Sequence, residues 1–441
     1  MPEMFPVDTI YALSTGFGRA AIAIVRVSGP RANDILSLVC PEGVFPERRA
    51  VFTAIRDSSG QALDRGVVLR FPEPRSFTGE DMVEFQVTGS RAVISGLTAL
   101  LSSCPGTRPA DPGEFARRAF ENGKLDLVEV EGLASVVEAE TRAQLDHAMR
   151  MANGELSQRS EEVRRLLLRA MADLESALDF SDVEDAADFS LKQVLICIEQ
   201  ARDGLVELMA NSTVSERLRT GMTVVIAGPP NVGKSTLLNF LAKRVVAIVS
   251  PLPGTTRDSL EVAAEVAGYP VTFVDTAGIR ETNDPIEALG VALSHNWIRR
   301  ANLILWLSDR DYAPPPDEFR DRIVFQIRTK ADLYDYSSSS TGIGISTKSG
   351  HGIDELILNV ADVAREYFMG VGHLALGTER QHAAARDARS ALEEILRNPA
   401  RSEELIAEDL RRAVHAMSRL TGRIEVEEVL SEIFSRLCVG K

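Results

Sequence analysis

A segment near the middle of the chain has the glycine, lysine and serine spacing of a loop that wraps around phosphates. It reads Gly228-Pro229-Pro230-Asn231-Val232-Gly233-Lys234-Ser235, directly after a predicted strand and before a stretch of helical type. Small residues let the backbone N–H groups of such a loop face the phosphates, and the helix N-terminus adds positive potential. We therefore expect Lys234 to contact the β- and γ-phosphates of a nucleotide and Ser235 to ligate Mg²⁺.

A second motif, Asp275-Thr276-Ala277-Gly278, follows the apolar run 271–274 directly. An acidic residue at a strand end can hold Mg²⁺, commonly through water, and a following glycine can offer its N–H to a γ-phosphate. The order of the two motifs and their strand contexts predict one phosphate and magnesium site.

Two further segments indicate which base is bound. Thr329-Lys330-Ala331-Asp332 follows the predicted strand 323–327, and Ser346-Thr347-Lys348 follows another short strand. A carboxylate at Asp332 can accept hydrogen bonds from both N1–H and the 2-amino group of guanine, a donor pair that adenine lacks. We therefore predict a guanine-nucleotide domain in which 346–348 close over the base.

The elements that must position these motifs alternate between strand and helix. Short apolar strands are predicted at 223–227, 271–274, 303–307 and 323–327, with helical stretches between them, which favours βαβ units around a mostly parallel sheet. An earlier region is of mixed type, with strands predicted at 21–27, 67–71 and 82–87 and a helix at 92–101.

Helical periodicity precedes and follows the α/β region. Apolar residues recur at helical spacing in 163–178 and again in 426–437. The predicted fold class is multidomain, with a P-loop α/β G domain inserted in an α-helical domain and a small α+β domain before both. The predicted boundaries are 1–120 for the α+β domain, 121–219 and 371–441 for the two helical parts, and 220–370 for the G domain. The sequence leaves open whether the helical parts touch.

Composition narrows the class of protein. The 441 residues include 49 Lys and Arg against 64 Asp and Glu, a formal net charge of -15, which argues against a general nucleic-acid coat protein. The four cysteines are far apart and form no Cys-x-x-Cys pair, so we expect no zinc knot and a reducing compartment. No signal peptide or membrane span is expected, and the expected location is the cytoplasm.

The segment Ser250-Pro251-Leu252-Pro253-Gly254-Thr255-Thr256-Arg257-Asp258 resembles the TrmE–Era class of GTPases. Further motifs narrow the resemblance to one family. They are Asp8-Thr9-Ile10, Phe77-Thr78-Gly79-Glu80-Asp81, Asp111-Pro112-Gly113-Glu114-Phe115, Asn122-Gly123-Lys124-Leu125-Asp126-Leu127 and Cys438-Val439-Gly440-Lys441. Together they resemble the MnmE (TrmE) family of tRNA-modification GTPases over essentially the whole chain.

The resemblance implies a function that spacing alone does not. The N-terminal domain would bind 5-formyl- or 5,10-methylene-tetrahydrofolate and mediate homodimerisation. With the FAD protein MnmG, in a heterotetramer that carries FAD only on that partner, the chain would install aminomethyl or carboxymethylaminomethyl groups at C5 of the wobble uridine of tRNA. The folate would supply the one-carbon unit, and GTP hydrolysis would drive a rearrangement of the G domains.

The resemblance also implies residue roles. Glu287 would orient the attacking water, Lys234 would be the other catalytic residue, and Thr256 would join Ser235 on Mg²⁺. Potassium would be held by Asn231, Ser250, Leu252 and Thr255. Folate would be bound by Arg26, Glu84, Lys124 and Lys441. The full nucleotide set is Asn231, Val232, Gly233, Lys234, Ser235, Thr236, Ser250, Thr255, Thr256, Asp275, Thr276, Ala277, Gly278, Thr329, Lys330, Asp332, Ser346, Thr347 and Lys348.

The chain departs from the family pattern at Thr329, where asparagine is usual, and at Thr88-Gly89-Ser90, where His-Gly-Gly is usual. Two alternatives stay open at this point. One is a ribosome-assembly GTPase of the TrmE–Era class, although such proteins usually carry a basic RNA-binding appendage. The other is a nucleotide-controlled scaffold without folate or modification chemistry.

Overall fold

The computed structural model describes residues 8–179, 184–210, 212–247, 261–276, 297–309, 314–334, 342–370 and 375–424, and residues 430, 433–435, 437 and 440. The chain divides into two compact units. Unit 1 contains Met1–Ala134, Met151–Val194 and Asn398–Lys441, and unit 2 contains Ser135–Arg150 and Leu195–Arg397. Within the described residues, no helix combines the length and apolar character needed to cross a membrane.

Unit 1 begins with a six-stranded sheet and two helices. The elements are β1 Thr9–Leu13, β2 Ala20–Ser28, α1 Ala32–Val39, β3 Val51–Arg56, β4 Ala62–Phe71, β5 Met82–Gly89, α2 Arg91–Ser103 and β6 Thr107–Pro109. The spatial order is β3-β4-β5-β2-β1-β6, and neighbours are antiparallel except β1 and β6. The three strands and the helix predicted in this region are confirmed, with longer bounds.

Helices α1 and α2 cover one face of this sheet. Val25, Val27 and Phe85 belong to a buried cluster that also contains Ile35 of α1 and Leu97 of α2. Side chains alternate between the two faces of a strand. The residue between these two valines therefore lies on the face that the two helices do not cover, and so does the residue that pairs with it on β5.

Between the first sheet and the second, the described residues form six helices. They are α3 Glu114–Glu121, α4 Leu127–Glu138, α5 Arg142–Ala152, α6 Glu155–Asp179, α7 Glu184–Ala210 and α8 Ser212–Thr220. On α6, Val163, Leu167, Ala170 and Leu174 are buried. Their burial confirms that the apolar stripe predicted on this helix is a packing surface.

Unit 2 is built around a seven-stranded sheet. Its elements are β7 Met222–Ala227, α9 Lys234–Arg244, β8 Val246–Ala247, β9 Glu261–Val266, β10 Tyr269–Asp275, β11 Leu303–Ser308, β12 Val324–Arg328, β13 Ile343–Gly344 and α10 Ile353–Tyr367. The order is β13-β12-β11-β7-β10-β9-β8, and the first five strands are parallel. The predicted parallel sheet is therefore confirmed. The carboxyl ends of its parallel strands share one edge, where open α/β sheets bind ligands.

After α10, the described part of the chain contains α11 Glu379–Arg397, α12 Glu403–Thr421 and helical residues at 430 and 433–435. Within unit 1, α12 packs against α6. Arg423, just beyond α12, forms an ion pair with Glu161 of α6, with 3.1 Å between Nη2 and Oε2. The helical segments on either side of the α/β region therefore touch, and the predicted fold class is confirmed.

Candidate functional site

The phosphate-loop segment connects the carboxyl end of β7 to the first residue of α9. Gly228 has a φ of +146°, and a Cβ there would lie 2.3 Å from the carbonyl oxygen of Leu307, so the position requires glycine. Asn231 and Gly233 also have positive φ, +61° and +104°. This backbone leads into α9 at Gly233, so the unpaired N–H groups of the first helical turn open onto the loop.

Lys234 is held inside this loop. Its Nζ donates to the carbonyl oxygens of Gly228 at 2.8 Å and Pro229 at 2.9 Å, and the residue is 8% exposed. Burial lowers the pKa of Lys234, and the nearby charge of Asp275 offsets that effect only in part. The arrangement presents a buried cation at the place where a phosphate chain would lie.

Ser235 and Asp275 meet beside the loop. The hydroxyl of Ser235 donates to Oδ2 of Asp275 at 2.5 Å, and Asp275 is 3% exposed. Thr276 follows Asp275 at the end of β10. Its Oγ1 donates to the carbonyl oxygen of Ile226 at 2.9 Å, and this hydrogen bond joins β10 to β7. A hydroxyl and a carboxylate this close provide the hard oxygen ligands that Mg²⁺ prefers.

Thr329, at the end of β12, is buried and faces the phosphate loop. Its hydroxyl donates to the carbonyl oxygen of Val232 at 2.8 Å and to that of Ser308 at 3.3 Å. The next residue, Lys330, has a φ of +62° and forms an ion pair with Asp309, with 3.0 Å between Nζ and Oδ2. Thr329 thus connects the base-recognition loop to the phosphate loop, and Asp309 is a partner that the sequence motifs did not indicate.

Asp332 is exposed, and its carboxylate is oriented by a buried serine. Oδ1 of Asp332 accepts from the hydroxyl of Ser346 at 2.8 Å, and Ser346 is 1% exposed. Ser346 Oγ also lies 3.3 Å from the backbone N of Lys348 and 3.2 Å from that of Ser349. The loops after β12 and β13 are therefore brought together, as the sequence predicts for a base-binding site.

A second polar centre lies in unit 1, on the sheet face that α1 and α2 do not cover. Arg26 of β2 stands directly opposite Glu84 of β5, and its Nε and Nη2 donate to Glu84 Oε1 at 3.0 and 2.8 Å. Nη1 of Arg26 donates to the carbonyl oxygen of Gly440 at 3.1 Å. Gly440 has a φ of +97°, and a Cβ there would lie 2.8 Å from the carbonyl oxygen of Leu13.

Two aromatic rings that sequence reasoning did not assign to this centre contact the same guanidinium. The guanidinium carbon of Arg26 lies 5.5 Å from the ring centroid of Phe77 and 5.6 Å from that of Phe115. Both phenylalanines belong to the family motifs quoted in the sequence analysis. That membership was the signal by which they could have been assigned to this centre. Lys124 is exposed, and its Cγ would lie 3.2 Å from a Cβ at Gly79, so its stem runs beside the loop that carries Phe77.

The C-terminal segment reaches this centre through apolar packing. Among the described residues of the predicted apolar face, Phe434 and Leu437 are buried with Ala116 of α3, and Leu430 and Ile433 pack against the same cluster. Gly113, before α3, has a φ of +70°, and a Cβ there would lie 2.3 Å from the carbonyl oxygen of Phe434.

Comparison with known proteins identifies the family. A model of the GTP-binding protein TrmE N-terminus matches residues 9–124, and a model of the MnmE helical domain matches residues 127–438. The chain belongs to the MnmE family. A tRNA modification GTPase MnmE from Beijerinckia indica subsp. indica is 46% identical over 98% of this chain and 96% of its own length. One from Rhodopseudomonas palustris is 44% identical over 99% of this chain and all of its own length.

A solved structure of Era from Aquifex aeolicus bound to GDP and AlF4⁻ is also similar, with 24% identity and a TM-score of 0.25. It covers 38% of this chain and 66% of that protein.

The segment Thr88-Gly89-Ser90, for which the resemblance predicts His-Gly-Gly, makes close contacts around the end of β5. Thr88 donates to Asp64 through its backbone N at 2.6 Å and its hydroxyl at 3.2 Å. Ser90 caps α2 by accepting from the N–H of Val93 at 3.2 Å. A Cβ at Gly89 would lie 2.5 Å from the carbonyl oxygen of Ala20. The segment therefore ends β5 and starts α2.

Several residues predicted for the MnmE sites lie outside the described residues. They are Ser250, Leu252, Thr255, Thr256, Ala277, Gly278, Glu287, Cys438 and Lys441.

Proposed function

We propose that the chain binds and hydrolyses GTP and that this activity serves the modification of tRNA. The observation that carries the proposal is the placement of Lys234, Ser235 with Asp275, and Asp332 at the carboxyl ends of the parallel strands, in a chain of the MnmE family. Related proteins of nearly equal length carry the name tRNA modification GTPase.

The nucleotide roles follow from the contacts. Lys234, already surrounded by loop carbonyls, would neutralise charge on the β- and γ-phosphates, together with the loop N–H groups. Ser235, with Thr256, would ligate Mg²⁺, and Asp275 would hold it through water; the bound ion would screen phosphate charge. Asp332 would accept the two guanine donors, with Ser346 fixing its carboxylate. The remaining nucleotide contacts are proposed as in the sequence assignment.

We propose that hydrolysis depends on potassium, bound by Asn231, Ser250, Leu252 and Thr255. Asn231 supports this assignment because it is exposed and adopts a left-handed conformation within the phosphate loop. A cation bound there would supply the transition-state charge stabilisation that an arginine finger gives other GTPases. Glu287 would orient the attacking water.

We propose that Arg26, Glu84, Lys124 and Lys441 bind a 5-formyl- or 5,10-methylene-tetrahydrofolate. The support is the pairing of Arg26 with Glu84 on the sheet face that α1 and α2 do not cover, and the hydrogen bond from Arg26 to Gly440, the neighbour of Lys441. An arginine held between two aromatic rings is restricted to few orientations, which suits the recognition of a planar heterocycle with carboxylates.

The proposed partners are a second copy of the chain, an FAD-dependent MnmG-type protein in a heterotetramer, and tRNA, in the cytoplasm. Phe52 supports self-association because it is 64% exposed on the sheet face opposite α1 and α2. Ile22, at the register shift of β2, is also exposed, at 58%. The proposed functional segments remain 1–120, 121–219, 220–370 and 371–441. The MnmG-type partner would contribute the redox chemistry. The folate bound by the chain would supply the one-carbon unit for the (carboxymethyl)aminomethyl group.

The tRNA role is tested by nucleoside analysis in a strain that lacks the gene. Wild-type chain should restore C5-modified wobble uridines, Lys234→Ala should not, and Lys243→Ala should restore them as a control, because Lys243 is exposed near the far end of α9. An unchanged nucleoside profile in the deletion strain would show that the chain does not act in this modification.

Potassium dependence is tested by GTP turnover in KCl and NaCl at equal ionic strength. We expect much faster turnover in potassium, and we expect Asn231→Ala to remove most of the difference. Asn239→Ala, on the exposed side of α9, is the matched control. Equal rates of the wild-type chain in the two salts would refute the cation assignment.

A further inference from the structure

Motif residues from three separate parts of unit 1 meet at one buried arginine, Arg118 of α3. These are Asp8 at the start of β1, Glu80 in the loop before β5, and Glu114 in the first turn of α3. Arg118 is 9% exposed and has no part in the roles assigned above. Arg118 thereby joins α3 to two segments that are distant from it in sequence, while Arg108 also pairs with Asp8 and Glu114.

The guanidinium of Arg118 binds two of these segments at once through its two terminal nitrogens. Nη1 donates to the backbone carbonyl oxygen of Asp8 at 2.8 Å, and Nη2 donates to Asp8 Oδ1 at 2.7 Å. Nη1 also lies 3.1 Å from both carboxylate oxygens of Glu80, and Nη2 lies 3.6 Å from Glu114 Oε1. A lysine ammonium could not reproduce this planar set of directed bonds.

From Glu80 the contacts continue to the strand that carries Arg26. Glu80 Oε2 accepts from the hydroxyl of Ser28 at 2.7 Å, and Ser28 shares a 2.7 Å hydrogen bond with the hydroxyl of Thr78. Asn122, just after α3, donates to the carbonyl oxygen of Thr78 at 2.8 Å. The loop 76–81 is therefore tied both to β2 and to the end of α3.

These connections bear directly on the proposed folate pocket. The loop carries Phe77 and α3 carries Phe115, the two rings that contact the Arg26 guanidinium. Ser28 follows Arg26 by two residues and shares its sheet face. We infer that Arg118 is a positioning residue for this pocket, because it holds Phe77 and Phe115 in place around Arg26. The inference rests on the proposed folate function.

The test is a double-variant cycle on folate affinity in the full-length chain. Arg118→Lys keeps the charge and loses the fork, and Phe77→Leu removes one ring that the fork positions. Affinity for 5-formyl-tetrahydrofolate is measured by calorimetry, with GTP turnover and thermal unfolding in parallel. Arg117→Lys is the matched control, because Arg117 is the adjacent residue and pairs with Glu121 at the surface.

We expect each single variant to bind folate roughly tenfold more weakly, since small displacements of positioning groups have effects of this order or larger. The double variant should be weakened by much less than the product of the two single effects, because one ring that Arg118→Lys displaces is the ring that Phe77→Leu removes; coupled residues are non-additive in this way. GTP turnover should stay at the wild-type level in all variants, and Arg117→Lys should match the wild type in every assay.

Three results would overturn the inference, and they are distinguishable. If the wild-type chain does not bind the folate, the proposed folate function is wrong, and this inference fails with it. Arg118→Lys with wild-type affinity would refute the positioning role alone. A double variant weakened about a hundredfold, the product of two independent effects, would refute action through Phe77. If Arg118→Lys does not fold, Glu80→Gln replaces it in the same cycle, with the same expectations.

Discussion

Replacing Thr329 with valine tests the contact that joins the base-recognition loop to the phosphate loop. Valine keeps the branched shape of threonine and removes only the hydroxyl. That hydroxyl is buried and donates to Val232 at 2.8 Å and, more weakly, to Ser308 at 3.3 Å. The change therefore removes a donor from a carbonyl inside the phosphate loop without opening a large cavity.

The expected cost follows from those two contacts. A net hydrogen bond between neutral groups contributes about 1 kcal/mol, and a buried acceptor left without its donor costs about 1–3 kcal/mol. The Val232 carbonyl lies in a loop that must be ordered to surround phosphates. If the less ordered loop reduces the free energy of GTP binding by about 1.4 kcal/mol, GTP binds about tenfold more weakly. We therefore expect GTP affinity to fall by roughly tenfold, with a smaller loss of stability.

The assay combines a GTP titration with urea unfolding followed by tryptophan fluorescence. The chain has two tryptophans, Trp297 and Trp306, and Trp306 lies on β11 between β7 and β12. Fluorescence therefore reports on the sheet that carries the site. Thr329→Ser keeps the hydroxyl and is expected to retain most of the affinity. A valine variant with wild-type GTP affinity and an unchanged urea midpoint would refute the proposed role of this hydroxyl.

Three further predictions concern single groups. Asp332→Asn should weaken GTP and favour xanthosine triphosphate, because an amide can donate to the added O2; unchanged GTP preference in competition binding would exclude Asp332 from base recognition. Gly440→Ala should abolish folate binding and spare GTP turnover, because its Cβ would collide with the β1 backbone; parallel loss of both activities would indicate a folding defect. Burial would raise the pKa values of Asp8 and Glu114, but the hydrogen bonds and charges of Arg108, together with those of Arg118 and other neighbours, lower both below their ordinary 3.8 and 4.5. The stability they contribute is present above those values and is lost as pH falls through the lowered pKa values, so the melting temperature should fall more steeply below pH 4.5 in the wild type than in Arg108→Gln; parallel pH profiles would contradict this.

The geometry of the candidate nucleotide site was largely predictable because its determinants are local. The phosphate loop requires a strand, a turn with positive φ and a helix in immediate succession, and the sequence order places Asp275 and Asp332 at strand ends. The direction of Thr329 was not predictable, because a hydroxyl at a strand end can face the base or the loop. Its contact with Val232 joins residues 97 positions apart. The two-residue strand β8 was missed because it is too short to show a period, whereas the short strand predicted before 346–348 corresponds to β13.

The polar centre of unit 1 was predictable only as a resemblance. Arg26 and Glu84 are 58 positions apart, and no period or spacing in the sequence indicates that they stand opposite each other. Their pairing depends on the register of β2 against β5, which is set by the buried alternation around Val25 and Phe85. The contribution of Phe115 depends on a helix that follows the sheet. Such long-range contacts become visible only when the strands are in place.

The two centres belong to different compact units, and this makes their roles experimentally separable. Arg26, Arg118 and Gly440 make their recorded contacts within unit 1, whereas Lys234 and Thr329 make theirs within unit 2. Substitutions without shared partners usually have additive effects. Folate affinity should therefore respond to the first set and nucleotide affinity to the second. Variants from the two sets can be combined and assayed in the assembled protein during turnover. Any departure from additive effects would then measure how GTP hydrolysis is coupled to the chemistry on tRNA.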